Sequence, residues 1–129
     1  MQFGYTIIYV PDVKKAAEFY ARAFNLTVRF VSDENDYGEM DTGGTTLAFA
    51  ANHLGKSNLP DGFRENRPNE LPAGIEIAFV TPDVQAAYDH AVKTGAVAVS
   101  APVTKPWGQV VAYVRDLNGV AVELASPMG

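Results

Sequence analysis

The chain has 129 residues, 47% hydrophobic and 19% charged, with a formal net charge of −5 and no cysteine. A chain of that length and composition fits one domain with a buried core and excludes a disordered segment; missing cysteine excludes disulfides, thiolate metal sites and a cysteine nucleophile, and fits a cytoplasmic location. The acidic balance argues against nucleic acid as a partner, and no apolar run reaches the roughly 20 residues that span a bilayer, so no membrane partner is expected either.

Residues 3–10 (FGYTIIYV) are rich in β-branched and aromatic side chains and are predicted to form a strand. Pro11 ends it, and Asp12 is placed to cap a helix by accepting from the free N–H groups of its first turn. Val13, Ala16, Ala17, Tyr20, Ala23 and Phe24 then recur at helical spacing, and Asn25 closes the helix. Strands are expected over 27–31 and 37–41, with Gly43-Gly44 turning into a further strand over 45–50. Residues 52–73 carry three prolines and two glycines before Ala73 and read as a loop. Such a loop is either a linker between two halves or a cover over a ligand site, in which case Phe63 and Arg64 would reach the ligand.

The same order of events then recurs. Residues 75–80 read as a strand, Pro82 ends it, Asp83 caps a helix with Val84, Ala87, Tyr88 and Ala91 on its apolar face, and Gly95 terminates that helix. A strand is predicted over 96–100, and strands over 109–115 and 120–125 flank Asn118-Gly119. That pair predicts a two-residue type I′ loop, with Leu117 opposite Val120 and Tyr113 opposite Glu123. Tyr113, Arg115, Ala121 and Glu123 then share one face of the hairpin, and Val114, Val122 and Leu124 the other. A four-residue loop would instead send Arg115 under the helices as a buried unpaired charge. Pro82-Asp83-Val84 repeats Pro11-Asp12-Val13 71 residues on, in step with the element order, so the chain reads as a duplication. The expected architecture is an α+β single domain over 1–129. Its two βαβββ modules cover about 1–52 and about 74–129, joined by the loop 53–73.

The opening strand–Pro-Asp-Val–helix (YTIIYVPDVKKAAEFY) and the closing hairpin from Tyr113 to Leu124 (YVRDLNGVAVEL) resemble the vicinal oxygen chelate superfamily. This superfamily takes in glyoxalase I, bleomycin- and fosfomycin-resistance proteins and extradiol dioxygenases. The resemblance implies a mixed sheet curled around a cavity, and in the metal enzymes four ligands, on the first and last strands of each module. Carried onto this sequence, those positions are Tyr5, Ala48, Glu76 and Glu123. Only Glu123 matches. Glu76 stands where histidine is usual, alanine has no donor atom, and a phenol with a pKa near about 10 is a poor ligand at neutral pH. Two carboxylates without imidazole make at best a weak site for a hard cation. No cofactor is therefore expected; the alternative is a weakly bound divalent metal at Glu76 and Glu123.

The extradiol pattern is echoed by Tyr113, Asp116, Gly119 and Glu123, but Leu117 replaces its proline and Thr104, Lys105 and Pro106 stand where a histidine is expected. The Asp-Leu-Asn-Gly segment is accordingly read as a turn. The resemblance implies a homodimer holding a small organic ligand in a cavity lined by Tyr5, Glu76, Trp107, Tyr113 and Glu123. Sequestration or resistance is one role for it. The alternative is an enzyme, a lyase, isomerase or dioxygenase, using an atypical Glu76/Glu123 site. Poorly solvated, these two carboxylates would share a proton or bind a cation; equally, they could pair with Arg115 and hold the sheet. Trp107, between Pro106 and Gly108, is either packed or available for stacking on a ligand. His53 and His90 are read as surface residues.

Overall fold

The strand–helix–strand–strand–strand order is formed twice. The computed structural model describes residues 1–128; Gly129, the predicted end of the second module, lies outside the described residues. The chain divides into two compact units, Met1–Asn66 and Arg67–Gly129. Their boundary falls inside the predicted loop, so each half of that loop belongs to a different unit.

In the first unit, β1 (Tyr5–Val10), α1 (Val13–Phe24), β2 (Thr27–Val31), β3 (Tyr37–Asp41) and β4 (Thr46–Ala51) are followed by α2 (Asn52–Asn58). The sheet order is β1-β4-β3-β2, with β1 parallel to β4 and the other pairs antiparallel. Asp12 caps α1 by accepting from the Lys15 N–H at 3.1 Å. Asn35 reinforces that cap, accepting from the Lys14 N–H at 2.8 Å and donating to Asp12 at 3.1 Å. Asn25 ends the helix in the left-handed conformation, with φ 55°. One face of α1, with Val13, Ala16, Ala17, Phe19, Tyr20 and Ala23, is buried, as are Ile8, Val10, Met40 and Phe49 of the sheet. Tyr20 meets Phe49 at 5.0 Å between ring centroids.

Helix α2 was not expected, because residues 52–73 read as a loop. Its sequence, NHLGKSN, is poor in helix formers and its N-cap Ala51 makes no side-chain hydrogen bond. Packing stabilises it instead. The Phe63 ring lies 4.9 Å from the Tyr9 ring, and a Cβ on Gly55 would stand 2.6 Å from Phe63. Lys56 and Glu65 pair at 3.2 Å, and Asn66 donates to the Tyr9 carbonyl at 3.2 Å. The loop thus folds back onto its own module.

The second unit contains β5 (Glu76–Val80), α3 (Val84–Thr94), β6 (Val97–Thr104), β7 (Val110–Arg115) and β8 (Ala121–Ala125), with sheet order β5-β8-β7-β6. Asp83 caps α3 by accepting from the Ala86 N–H at 3.0 Å. Val84 and Ala91 of the helix are buried, as are Ala112, Val114, Val122 and Leu124 of the sheet.

The closing hairpin differs from the prediction in its loop. Asp116, not Leu117, faces Val120, through an N–H···O bond of 3.0 Å, and Gly119 has φ 88° while Asn118 is not in the positive-φ region. Three residues form the loop: a type I turn closed by a left-handed glycine, not a type I′ pair. The reason is the buried Asp116 carboxylate, which accepts from the Asn118 and Val120 N–H groups at 2.8 and 2.9 Å. This three-residue loop is what sets Tyr113 opposite Glu123 and Arg115 opposite Ala121; pairing Leu117 with Val120 would have put Tyr113 opposite Leu124 instead.

Candidate ligand site

Parity along the strands decides which side chains share a face. In the second unit Val114, Val122 and Leu124 are buried, so Glu76, Ala78 and Val80 of β5, Glu123 of β8, and Tyr113 and Arg115 of β7 occupy the opposite face. Glu123 faces Ala78 on one side and Tyr113 on the other, and Glu76 faces Ala121, two residues from Glu123. Glu76 and Glu123 are therefore diagonal neighbours, within reach of long side chains.

Hydrogen bonding with the Glu123 carboxyl group, then partial burial, then the Glu123 charge push the Glu76 pKa up from 4.5 to about 7. Burial, then the neighbouring Glu123 and Glu76 carboxylates, raise the Tyr113 pKa further above the usual phenol range. The face thus presents, near neutral pH, a carboxyl group poised to hold a proton, further acceptor oxygens and a phenol hydroxyl.

Arg115 does not neutralise this pair. Its guanidinium donates to the Gly119 carbonyl at 2.8 Å, to Pro68 at 3.4 Å, to Arg67 at 3.3 Å and to the Glu70 carbonyl. Trp107 is not core packing: it is 63% exposed, sits in the β6–β7 turn, and donates its Nε1–H to Gln109 at 3.0 Å.

The remaining predicted residues stand on the first unit. Tyr5 is exposed on β1, on the face away from α1, while Ala48 is 0% exposed within β4 and offers a ligand no surface. Phe63 is half-buried against Tyr9, Arg64 is exposed, and both histidines, His53 and His90, are exposed.

A second polar cluster went unnoticed in the sequence. Arg29 bonds Glu39 at 3.0 Å, Asp41 at 3.4 Å and Thr46 at 3.4 Å, and Tyr37 donates to Glu39 at 2.7 Å. Burial and the Glu39 carboxylate push the Tyr37 pKa up to about 12. Glu39 faces Ala48 as Tyr113 faces Glu123, so it is the first-module counterpart of Tyr113. The alternation Tyr37, Glu39, Asp41 was available as a signal; the β2 irregularity between Val28 and Phe30 that brings in Arg29 was not.

Duplicated βαβββ modules with a parallel first-to-last strand pairing define the class. The family model described as Glyoxalase/Bleomycin resistance protein/Dioxygenase superfamily matches residues 2–124, and the chain belongs to that superfamily. A glyoxalase-related enzyme from Fulvimarina pelagi superposes with TM-score 0.82 at 18% identity, covering 98% of this chain and 88% of its own. A glyoxalase/bleomycin resistance protein/dioxygenase family enzyme from Burkholderia phytofirmans PsJN gives 0.80 at 18% identity, covering 98% of both chains. By sequence, the uncharacterized protein YraH of Bacillus subtilis (strain 168) is 24% identical over 116 residues, 89% of this chain and 90% of that protein.

The residues present do not fit the four-ligand metal site of the family's metal enzymes. Ala48 is a buried methyl group, Tyr5 is a phenol, and Glu76 and Glu123 supply two carboxyl groups without an imidazole. Among the described residues no group of three or more His, Cys, Asp or Glu is placed to hold a metal ion.

Proposed function

We propose that this protein binds a small organic ligand through the Glu76–Tyr113–Glu123 face of its second module, without a conventional metal. The observation that carries this reading is the placement of two carboxyl groups beside a phenol on one face of the sheet. Such a trio offers donor and acceptor atoms to a ligand hydroxyl, carbonyl or amine, on strands rigid enough to fix their spacing. Sequestration or resistance is the role this reading favours, in the cytoplasm and as a homodimer. Trp107 is offered as a further contact because it is an exposed aromatic of the same module.

A second reading is favoured by one observation. A carboxyl group with a pKa of about 7 is matched to general acid–base work at neutral pH. Glu76 would then move a proton in a lyase-, isomerase- or dioxygenase-type reaction. A weakly held divalent cation at Glu76 and Glu123 is a variant of that idea.

One experiment separates these readings. A thermal-shift screen of hydroxylated and carbonyl-bearing compounds, with and without divalent cations, is run on the wild type and on Glu123→Gln. The binding reading expects hits whose affinity falls about 10- to 100-fold in the variant, the loss of one or two buried hydrogen bonds, with no product formed. Turnover abolished in Glu123→Gln establishes the enzyme reading. Hits indifferent to the variant would falsify both.

A further inference from the structure

Among the described residues, Arg115 is a cation whose hydrogen-bond partners are all neutral carbonyls, and it stands on the face proposed to hold the ligand. Three of its four hydrogen bonds reach residues 67, 68 and 70, and the fourth reaches Gly119. The Glu70 N–H bonds back to the Arg67 carbonyl at 3.3 Å and their side chains pair at 3.8 Å, so these contacts stay within the segment. Residues 67–75 are exposed throughout. The result is a solvated strap held across the turn end of the face by a half-buried guanidinium.

A guanidinium binds a carboxylate through two parallel, charge-assisted bonds, roughly twice as strong as bonds to neutral acceptors. An anion reaching Arg115 therefore outcompetes the strap's carbonyls. We propose that Arg115 is the seat for the anionic group of the ligand, and that residues 67–70 occupy this seat as a strap until the anion displaces them. This rests on the preceding reading of the face and deepens it by naming the ligand class.

The neighbours of Arg115 describe the rest of that ligand. Val97 stands opposite it on β6 and is 56% exposed, and Ala121 stands opposite on β8. Tyr113 is two residues along the same strand, about 6.8 Å away at the usual rise, and Glu123 faces it. A carboxylate with a short apolar or aromatic body and a hydroxyl or carbonyl at the far end satisfies all three regions. The Glu76 and Glu123 carboxyl groups and the Tyr113 hydroxyl would meet that far end.

The strap supplies its own readout, because the Glu70 carbonyl bonded to Arg115 belongs to the Glu70–Leu71 peptide bond. A protease specific for glutamate must take that carbonyl away from Arg115, and Leu71 beside it is 92% exposed. Cleavage after Glu70 is followed in the full chain, with cleavage after Glu34, in the exposed β2–β3 turn, as the reference for any effect of the probes on the protease itself. 4-Hydroxybenzoate, benzoate and succinate are the probes, and uncharged 4-hydroxybenzamide is the control. The expected result is at least about tenfold faster cleavage after Glu70 with 4-hydroxybenzoate, the scale of one charge-assisted hydrogen bond, and none with the amide. Arg115→Met should be cleaved fast without any anion and should not respond to one. Wild-type cleavage unmoved by all three carboxylates up to their solubility overturns the proposal, as does acceleration by the amide or a slow, anion-responsive Arg115→Met. The wild-type comparison stands even if that variant fails to fold. A negative result leaves the Glu76–Tyr113–Glu123 reading intact, since that is tested separately through Glu123→Gln.

Discussion

Glu76 keeps its proton into the neutral range because hydrogen bonding with Glu123, then burial, then the Glu123 charge favour its neutral form. The folded pKa, about 7, lies above the ordinary value of 4.5. Between those values the folded state binds more protons than the unfolded one, so this group's stabilising contribution is complete at low pH and is lost as pH rises through about 7. The melting temperature is expected to be higher at about pH 5.5 than at about pH 8, and that difference should shrink in Glu76→Gln, which keeps a donor and cannot ionise. An unchanged difference in the variant would locate the pH dependence elsewhere. Buried Asp116 carries the opposite kind of argument. It accepts from two backbone N–H groups, and Asp116→Ala leaves both without that acceptor, at an expected loss of about 2–3 kcal/mol. Chemical denaturation measures it. The paired glutamates were legible because the duplicated Pro-Asp-Val motifs set the register of β5. The raised Glu76 pKa was not, since it depends on a cross-strand diagonal.

Among the elements, α1, α3 and seven of the eight strands lie within two residues of their predicted ends, because caps, apolar periodicity and β-branched runs are local signals. Strand β6 runs on to Thr104, past the predicted residue 100, through irregular pairings that no alternation pattern reveals. Helix α2 is the clearer failure. Its seven residues have little intrinsic helicity, and Phe63, eight positions past Gly55, supplies the packing. Phe63→Ala is expected to destabilise the first module by about 1–2 kcal/mol, as fits a half-buried aromatic ring. Gly55→Ala should be similarly harmful, because its Cβ would press on the Phe63 ring. In the double variant the two losses should fall short of additivity, since the missing ring leaves room for the methyl group. Full additivity in a denaturation cycle would count against this packing account. The closing hairpin shows a subtler limit: Asn-Gly signals a hairpin, yet Asp116 two positions earlier selects the three-residue loop.

For the molecule as a whole, the exposed apolar side chains of β6, Val97, Val99 and Val103, and of β1, Tyr5 and Ile7, motivate the homodimer proposed above. Light scattering behind size exclusion should return twice the 13.9 kDa of one chain, and Val99→Lys should shift the population toward single chains. A wild type that stays monomeric at micromolar to millimolar concentration would remove the homodimer from the reading. No helix is long and apolar enough to cross a membrane among the described residues.

Sequence alone determined the duplicated βαβββ plan and the superfamily resemblance, because both follow from caps, periodicity and β-branched runs within short windows; the three-residue loop held by Asp116 decided that Tyr113, Arg115 and Glu123 share a face. Tertiary structure decided what those residues do. It engaged Glu76 with Glu123 instead of Arg115, turned Arg115 onto the carbonyls of residues 67–70, sealed Ala48 inside β4, and added the Arg29–Glu39–Tyr37 cluster. Those outcomes depend on which side chains meet across strands and loops distant in the chain, and local pattern carries no record of such meetings.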